Sequence, residues 1–226
     1  MVIVEDFGVA DYRKIWEYQL ALHEALKSSK KEGSQGREYI LIGEHEDVYT
    51  LGRHGKDSNL LINESVLKAS GKDVIRIERG GDITYHGPGQ LIVYPIIDLE
   101  HYGLGVKGYV DLLEEAVIRV LNKYGIVGQR VEGATGVWIN AGTRYERKIC
   151  AIGVKISRYV TMHGIGFNIN TDLRGFDVIN PCGFTDKGVT SMSRELDRTI
   201  DMLEVKNHMI NTLGDLLGIP LECEKT

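Results

Sequence analysis

Cysteine is scarce in this chain, with three residues in 226. Cys150, Cys182 and Cys223 are odd in number and widely spaced, which argues against the disulfide framework of a small secreted domain. No apolar run is long enough to span a bilayer. The opening MVIVEDFGVADYRK has neither the basic segment nor the unbroken apolar stretch of a secretory signal, so the expected location is the cytoplasm and no membrane partner is expected. Basic residues are not in excess: the net charge is -5, and a nucleic-acid partner would call for a clustered basic face. Repeats, low-complexity linkers and breaks in composition are missing too, and the length suits one domain with its own core. The phosphate loops GxxxxGKS/T and GxGxxG are absent. So is any cysteine–histidine spacing that would hold zinc, and neither metal nor cofactor is expected.

What the chain does have is periodicity of two kinds. Apolar residues recur at helical spacing from Asp11 to about Lys30, from Tyr109 to Tyr124, and from about Leu203 to Leu217, the last closed by Gly218 and Pro220. Short β-type runs cover Tyr39–Ile42, Val48–Leu51, Val74–Ile77 and Gln90–Ile97. Later runs cover Gly136–Asn140, Arg144–Ser157 and Tyr159–Asn168, with a tight hairpin near Ser157 and Arg158. GRHGKDSN, between Gly52 and Asn59, reads as an exposed loop, and Thr171 to Val189 as irregular. Runs of neighbouring strands between helices predict an α+β fold with a mixed, largely antiparallel sheet.

The most unusual segment is RGGDITYHGPGQ, Arg79 to Gln90, where four glycines and a proline share twelve positions with several polar side chains. Glycine lets a backbone come close to a ligand. A decorated turn between two strands is the bland alternative, but the polar side chains interleaved with the glycines weigh against it; a histidine in a turn, as His86 would be, is commonly exposed.

The thiols differ in setting. Cys223 lies between Glu222 and Glu224, which disfavour a thiolate. Cys150 alternates with Ile152, Val154 and Ile156 on one strand face and reads as a core thiol. Cys182, in NPCGF, sits between Pro181 and Gly183 in a loop, where a reactive and an inert thiol are both open readings. Lys148 enters the apolar face that carries Cys150, either snorkelling or functional. His163 interrupts an apolar strand, which fits a site residue or a satisfied structural histidine equally.

Taken together, RGGDITYHGPGQLIVYPIIDL, RKICAIGVKISRYVTMHGIGFNI and NPCG resemble the lipoyl(octanoyl) transferase family, in the same order and over about Leu51 to Met192. The resemblance implies a catalytic domain like that of biotin and lipoate protein ligases, filling residues 1–226. It implies octanoyl (or lipoyl) transfer from acyl carrier protein to a lysine on lipoyl domains of 2-oxoacid dehydrogenases or on the glycine-cleavage H protein, by a monomer without cofactor. By motif, Cys182 would carry the acyl group and Lys148 would lower its pKa. The acyl-binding stretches would be Arg79, Gly80, Gly81, Asp82, Ile83, Thr84, Tyr85 and His86, then Ala151, Ile152 and Gly153, then Gly164, Ile165 and Gly166. Cys150 departs from the pattern, which has a small residue such as alanine there. The ATP-dependent ligases on the same fold are the rival, but the biotin-ligase motif GRGRxGR is absent and Cys182 would have no task.

Overall fold

The computed structural model describes residues 2–180 and 188–221. Cys182 and Cys223 lie outside the described residues. Eleven strands and five helices follow one another within them. The first strand is β1 (Val2–Ala10), followed by α1 (Tyr12–Lys31), β2 (Glu38–His45) and β3 (Val48–Leu51). Then come α2 (Glu64–Ala69), β4 (Asp73–Arg76), β5 (Ile83–His86), β6 (Gln90–Ile96) and α3 (Val106–Lys123). β7 (Gln129–Val131), β8 (Ala134–Ile139), β9 (Arg147–Ser157) and β10 (Val160–Asn168) form the next run, and β11 (Gly188–Val189), α4 (Met192–Leu196) and α5 (Met202–Leu217) complete the order.

The main sheet runs β1-β2-β6-β10-β9-β8-β7, with β11 added to β9. Only β1 with β2 and β11 with β9 are parallel pairs in it, so the sheet is mixed and mostly antiparallel, the expected class. A second sheet of three strands, β4-β3-β5, packs beside it. Successive side chains leave a strand on opposite faces, and the core clusters obey this. Ile40, Ile42, Leu91 and Val93 join the large core built with α3 and α5, whereas Leu41, Ile92, Tyr94 and Ile96 join the cluster under α1. The sheet therefore has helices on both faces.

Local chemistry sets the element ends. The Asp11 carboxylate accepts from the Lys14 N–H at 3.1 Å and starts α1. Gly218, at φ +70°, closes α5 in the left-handed conformation that glycine adopts without steric cost. The β9–β10 hairpin turns through Arg158 and Tyr159, both at positive φ, as a two-residue loop between right-twisted strands requires. No described helix is long and apolar enough to cross a membrane.

The glycine-rich stretch differs from the sequence reading. Within the glycine-rich stretch, Ile83–His86 form β5, paired antiparallel to β3 with Thr84 opposite Thr50. His86 is consequently buried, because the strand carries its ring between the two sheets. The GRHGKDSN loop is exposed as expected, and hydrogen bonds tie it to the glycine-rich stretch. Arg53 N donates to the Arg79 carbonyl and His54 N to that of Gly81, at 3.0 and 3.1 Å. The Asp82 carboxylate accepts from the Asn59 side chain and, at 3.3 Å, from Lys56 N.

Candidate active site

Between the main sheet and the small one lies a cavity of about 430 Å³. Its walls bring together three stretches that are far apart in sequence. One is the glycine-rich segment, from Arg79 to Thr84 with His86; the others are Ala151, Ile152 and Gly153 on β9 and Gly164, Ile165 and Gly166 on β10. Lys148 and His163 line it as well. The antiparallel register explains the grouping, since Gly153 faces Gly164 and Ala151 faces Gly166 across the hairpin. Tyr85 alone among the expected binding residues points elsewhere. Alternation along β5 turns its ring to the small core, where the hydroxyl donates to Asp47 Oδ1 at 2.5 Å and the ring meets Phe176 edge-on.

The glycines in these walls answer to protein as much as to space. A Cβ on Gly153 would lie 2.9 Å from the Gly80 carbonyl oxygen and 3.0 Å from Arg79 Cδ. A Cβ on Gly164 would collide with the Val93 carbonyl oxygen of the adjacent strand. Close packing of the Arg79–Asp82 segment on β9, and of β10 on β6, therefore accounts for both positions.

Lys148 is buried, at 8% relative exposure, and does not snorkel to bulk water. Its Nζ donates to the Thr135 carbonyl at 3.0 Å and stands over the Trp138 ring, 4.5 Å from the centroid. β11 runs alongside it: Val189 pairs with Lys148, and Thr190 N donates to the Lys148 carbonyl at 2.9 Å. This pairing brings the chain to Lys148 seven residues after Cys182. Cys150, nearby on β9, is fully buried in the core under α3 and α5. Burial pushes its thiol well above the usual range, against a smaller downward pull from Lys148.

A buried polar chain joins the walls. His86 Nδ1 lies 2.6 Å from Gln90 Oε1, and the Gln90 amide donates to Asn168 Oδ1 at 2.9 Å. Asn168 Nδ2 in turn donates to the Thr190 carbonyl at 3.0 Å. The glycine-rich segment is thereby coupled to the strand beside Lys148. Arg79 is buried too, and its Nη2 donates to the Thr50 carbonyl at 2.7 Å and to Thr50 Oγ1 at 2.9 Å. Tyr12, Gln90, Tyr94, Thr135 and Asn168 line the cavity without having been singled out as binding residues in the sequence. The one available signal was Gln90, which closes the glycine-rich motif.

Three histidines around this cavity are held neutral. Burial pushes His45 down to about 4 and both His86 and His163 down to about 3, with the Arg79 guanidinium adding to the last two. In the unfolded chain each takes up a proton near the ordinary value of about 6.5. Stability is thus fully present above about pH 6.5 and is lost as the pH falls toward the folded values, by about 1.4 kcal/mol per pH unit per histidine. The urea midpoint is expected to drop clearly between about pH 7 and about pH 5. A flat midpoint would show that these rings take up protons without unfolding.

The comparisons with known proteins agree with this architecture. Residues 11–214 match the model of the lipoyl protein ligase A/B catalytic domain. An octanoyltransferase of Bacteroides fragilis strain YCH46 is 55% identical over 207 residues, covering 92% of this chain and 94% of that protein. An octanoyltransferase of Christiangramia forsetii is 45% identical, covering 98% and 97%. In fold, the bi-partite lipoate protein ligase of Thermoplasma acidophilum superposes with a TM-score of 0.66 at 16% identity, covering all of this chain and 86% of that one. The chain belongs to the lipoyl protein ligase A/B catalytic-domain family, in its lipoyl(octanoyl) transferase branch, and is an acyltransferase.

Proposed function

We propose that the chain moves an octanoyl group from an acyl carrier protein thioester onto Cys182, and from Cys182 to a lysine of a lipoyl domain or of the glycine-cleavage H protein. The observation that carries this reading is the position of Lys148. It is buried on the wall of a cavity suited to an acyl chain, and paired with the strand that follows the Cys182 segment. The octanoyltransferase names of the relatives supply the acyl group.

In the first half-reaction the Cys182 thiolate attacks the donor carbonyl, and the carrier thiolate leaves with a proton from Lys148 Nζ. In the second, the neutral acceptor amine attacks the Cys182 thioester. Nitrogen gives its proton back to Lys148, the C–S bond breaks, and the Cys182 thiolate is restored. One thioester is exchanged for another and then for an amide, so no nucleotide is consumed. The expected setting is the cytoplasm, with the protein acting as a monomer without cofactor.

The test separates this from an ATP-dependent ligase. Purified octanoyl carrier protein and apo lipoyl domain, without ATP or magnesium, should give octanoylated acceptor by intact mass. Free octanoate with ATP and magnesium should give none. The opposite pair of results would assign the chain to the ligases.

A further inference from the structure

Glu114 is a buried carboxylate that the proposed transfer does not employ. It lies on the face of α3 that carries Leu113, Ala116 and Val117 into the core, and it is 6% exposed. A charge in such a place is costly unless it is paired and hydrogen-bonded, and an apolar side chain of similar volume often serves packing as well. Its two oxygens have different partners. Oε2 accepts from Arg130 Nε on β7 at 3.1 Å, while Oε1 accepts from the Gly136 N–H on β8 at 2.9 Å.

The second bond leads to Lys148. The Gly136 N–H and the Thr135 carbonyl belong to one peptide group, and that carbonyl accepts from Lys148 Nζ at 3.0 Å. Carboxylate, peptide and ammonium thus form a hydrogen-bonded row through a single rigid plane. Bonds in such a row polarise one another, so a carboxylate on the N–H side makes the carbonyl a better acceptor for the ammonium. The peptide also packs directly on β9. A Cβ on Gly136 would collide with the Cys150 carbonyl oxygen and lie 3.5 Å from Lys148 Cε. Beyond the effect of burial, the Cys150 thiol is pulled down by Lys148 and pushed up by Glu114, so both charges stand near it.

We propose that Glu114 is a positioning residue for Lys148, acting through the Thr135–Gly136 peptide to hold the ammonium at one point of the cavity wall. The lysine stem is four flexible carbons, and without a fixed carbonyl Nζ is free to swing. A displacement of about 1 Å can slow a positioned reaction about a hundredfold. This inference rests on the acyl-transfer reading given above.

Two substitutions exchange the properties of the carboxylate. Glu114→Asp keeps the charge but is one methylene short of Gly136. Glu114→Gln loses the charge and keeps an oxygen at the right reach. Burial turns that oxygen to Gly136, because Arg130 is half-exposed and retains the Asp111 carbonyl and the Glu115 carboxylate. Glu114→Asp should lower kcat by about ten- to a hundredfold with KM for octanoyl carrier protein within about twofold, and Glu114→Gln should stay within about threefold of wild type. In a Lys148→Met background Glu114→Asp should cost nothing further, whereas a loss of structural support would add. The rate of Cys182 alkylation by iodoacetamide at neutral pH should fall in the same order, since the thiolate fraction depends on where the ammonium stands. Should Glu114→Asp not fold, Glu114→Met removes the acceptor at nearly the same volume and takes its place. An aspartate variant as fast as wild type, a glutamine variant as slow as the aspartate one, or additive losses with Lys148→Met would overturn the assignment. A wild-type chain that moved no octanoyl group but kept this order of alkylation rates would refute the transfer reading and leave the coupling of Glu114 to Lys148 standing.

Discussion

Cys182→Ala is expected to abolish octanoyl transfer, lowering the rate by at least about a thousandfold, the scale on which loss of a covalent nucleophile acts. The acyl-enzyme adduct should disappear with it. Cys150 is nearer in sequence to Lys148, but it is fully buried and its thiol is pushed up by that burial, so it offers little thiolate. Cys150→Ala should therefore keep a full acyl adduct after incubation with octanoyl carrier protein. Peptide mapping decides between the two. An adduct on the Arg147–Ser157 strand in place of the Cys182 peptide would end the assignment, and would turn the departure at Cys150 from packing into chemistry.

Much of the fold was legible because its elements bury a regular face. The β9–β10 hairpin alternates apolar residues, and helices α1, α3 and α5 each carry an apolar stripe, so the sequence periodicity matched the elements to within a few residues. β1 escaped because it lies at the sheet edge and only Val4 is buried along it. α2 escaped for a similar reason, with Leu67 its one buried residue. β5 was hidden by the glycines on either side of it, which signal turns locally, while its pairing with β3 is a tertiary fact.

The candidate site divides in the same way. Its glycine-rich walls and Lys148 are visible as motifs in the sequence. Tyr12 and Tyr94 are not, because each belongs to an ordinary helix or strand pattern and meets the cavity only through packing. Nor does spacing tell whether a glycine faces a ligand or another backbone. Gly164 lies against the Val93 carbonyl, a contact set by strand pairing that no local pattern encodes.

Lys148→Met is expected to move the alkylation profile of Cys182 upward by about one to three pH units, the shift that a neighbouring ammonium commonly produces. At neutral pH this corresponds to a roughly 10- to 1,000-fold loss of thiolate and a matching loss of transfer. Methionine keeps the unbranched apolar stem over Trp138, and the Thr135 carbonyl loses one donor, at about 1 kcal/mol of stability. The fold should survive, and rates of iodoacetamide reaction against pH can then be compared directly. Overlaid profiles for the two proteins would remove the electrostatic role. Lys148→Arg separates that role from proton transfer, since a guanidinium keeps its charge but does not release its proton at ordinary pH. It should restore the alkylation profile while leaving transfer impaired, because the carrier thiolate then lacks a donor and the acceptor amine a base. Full transfer by the arginine variant would reduce Lys148 to a source of positive charge.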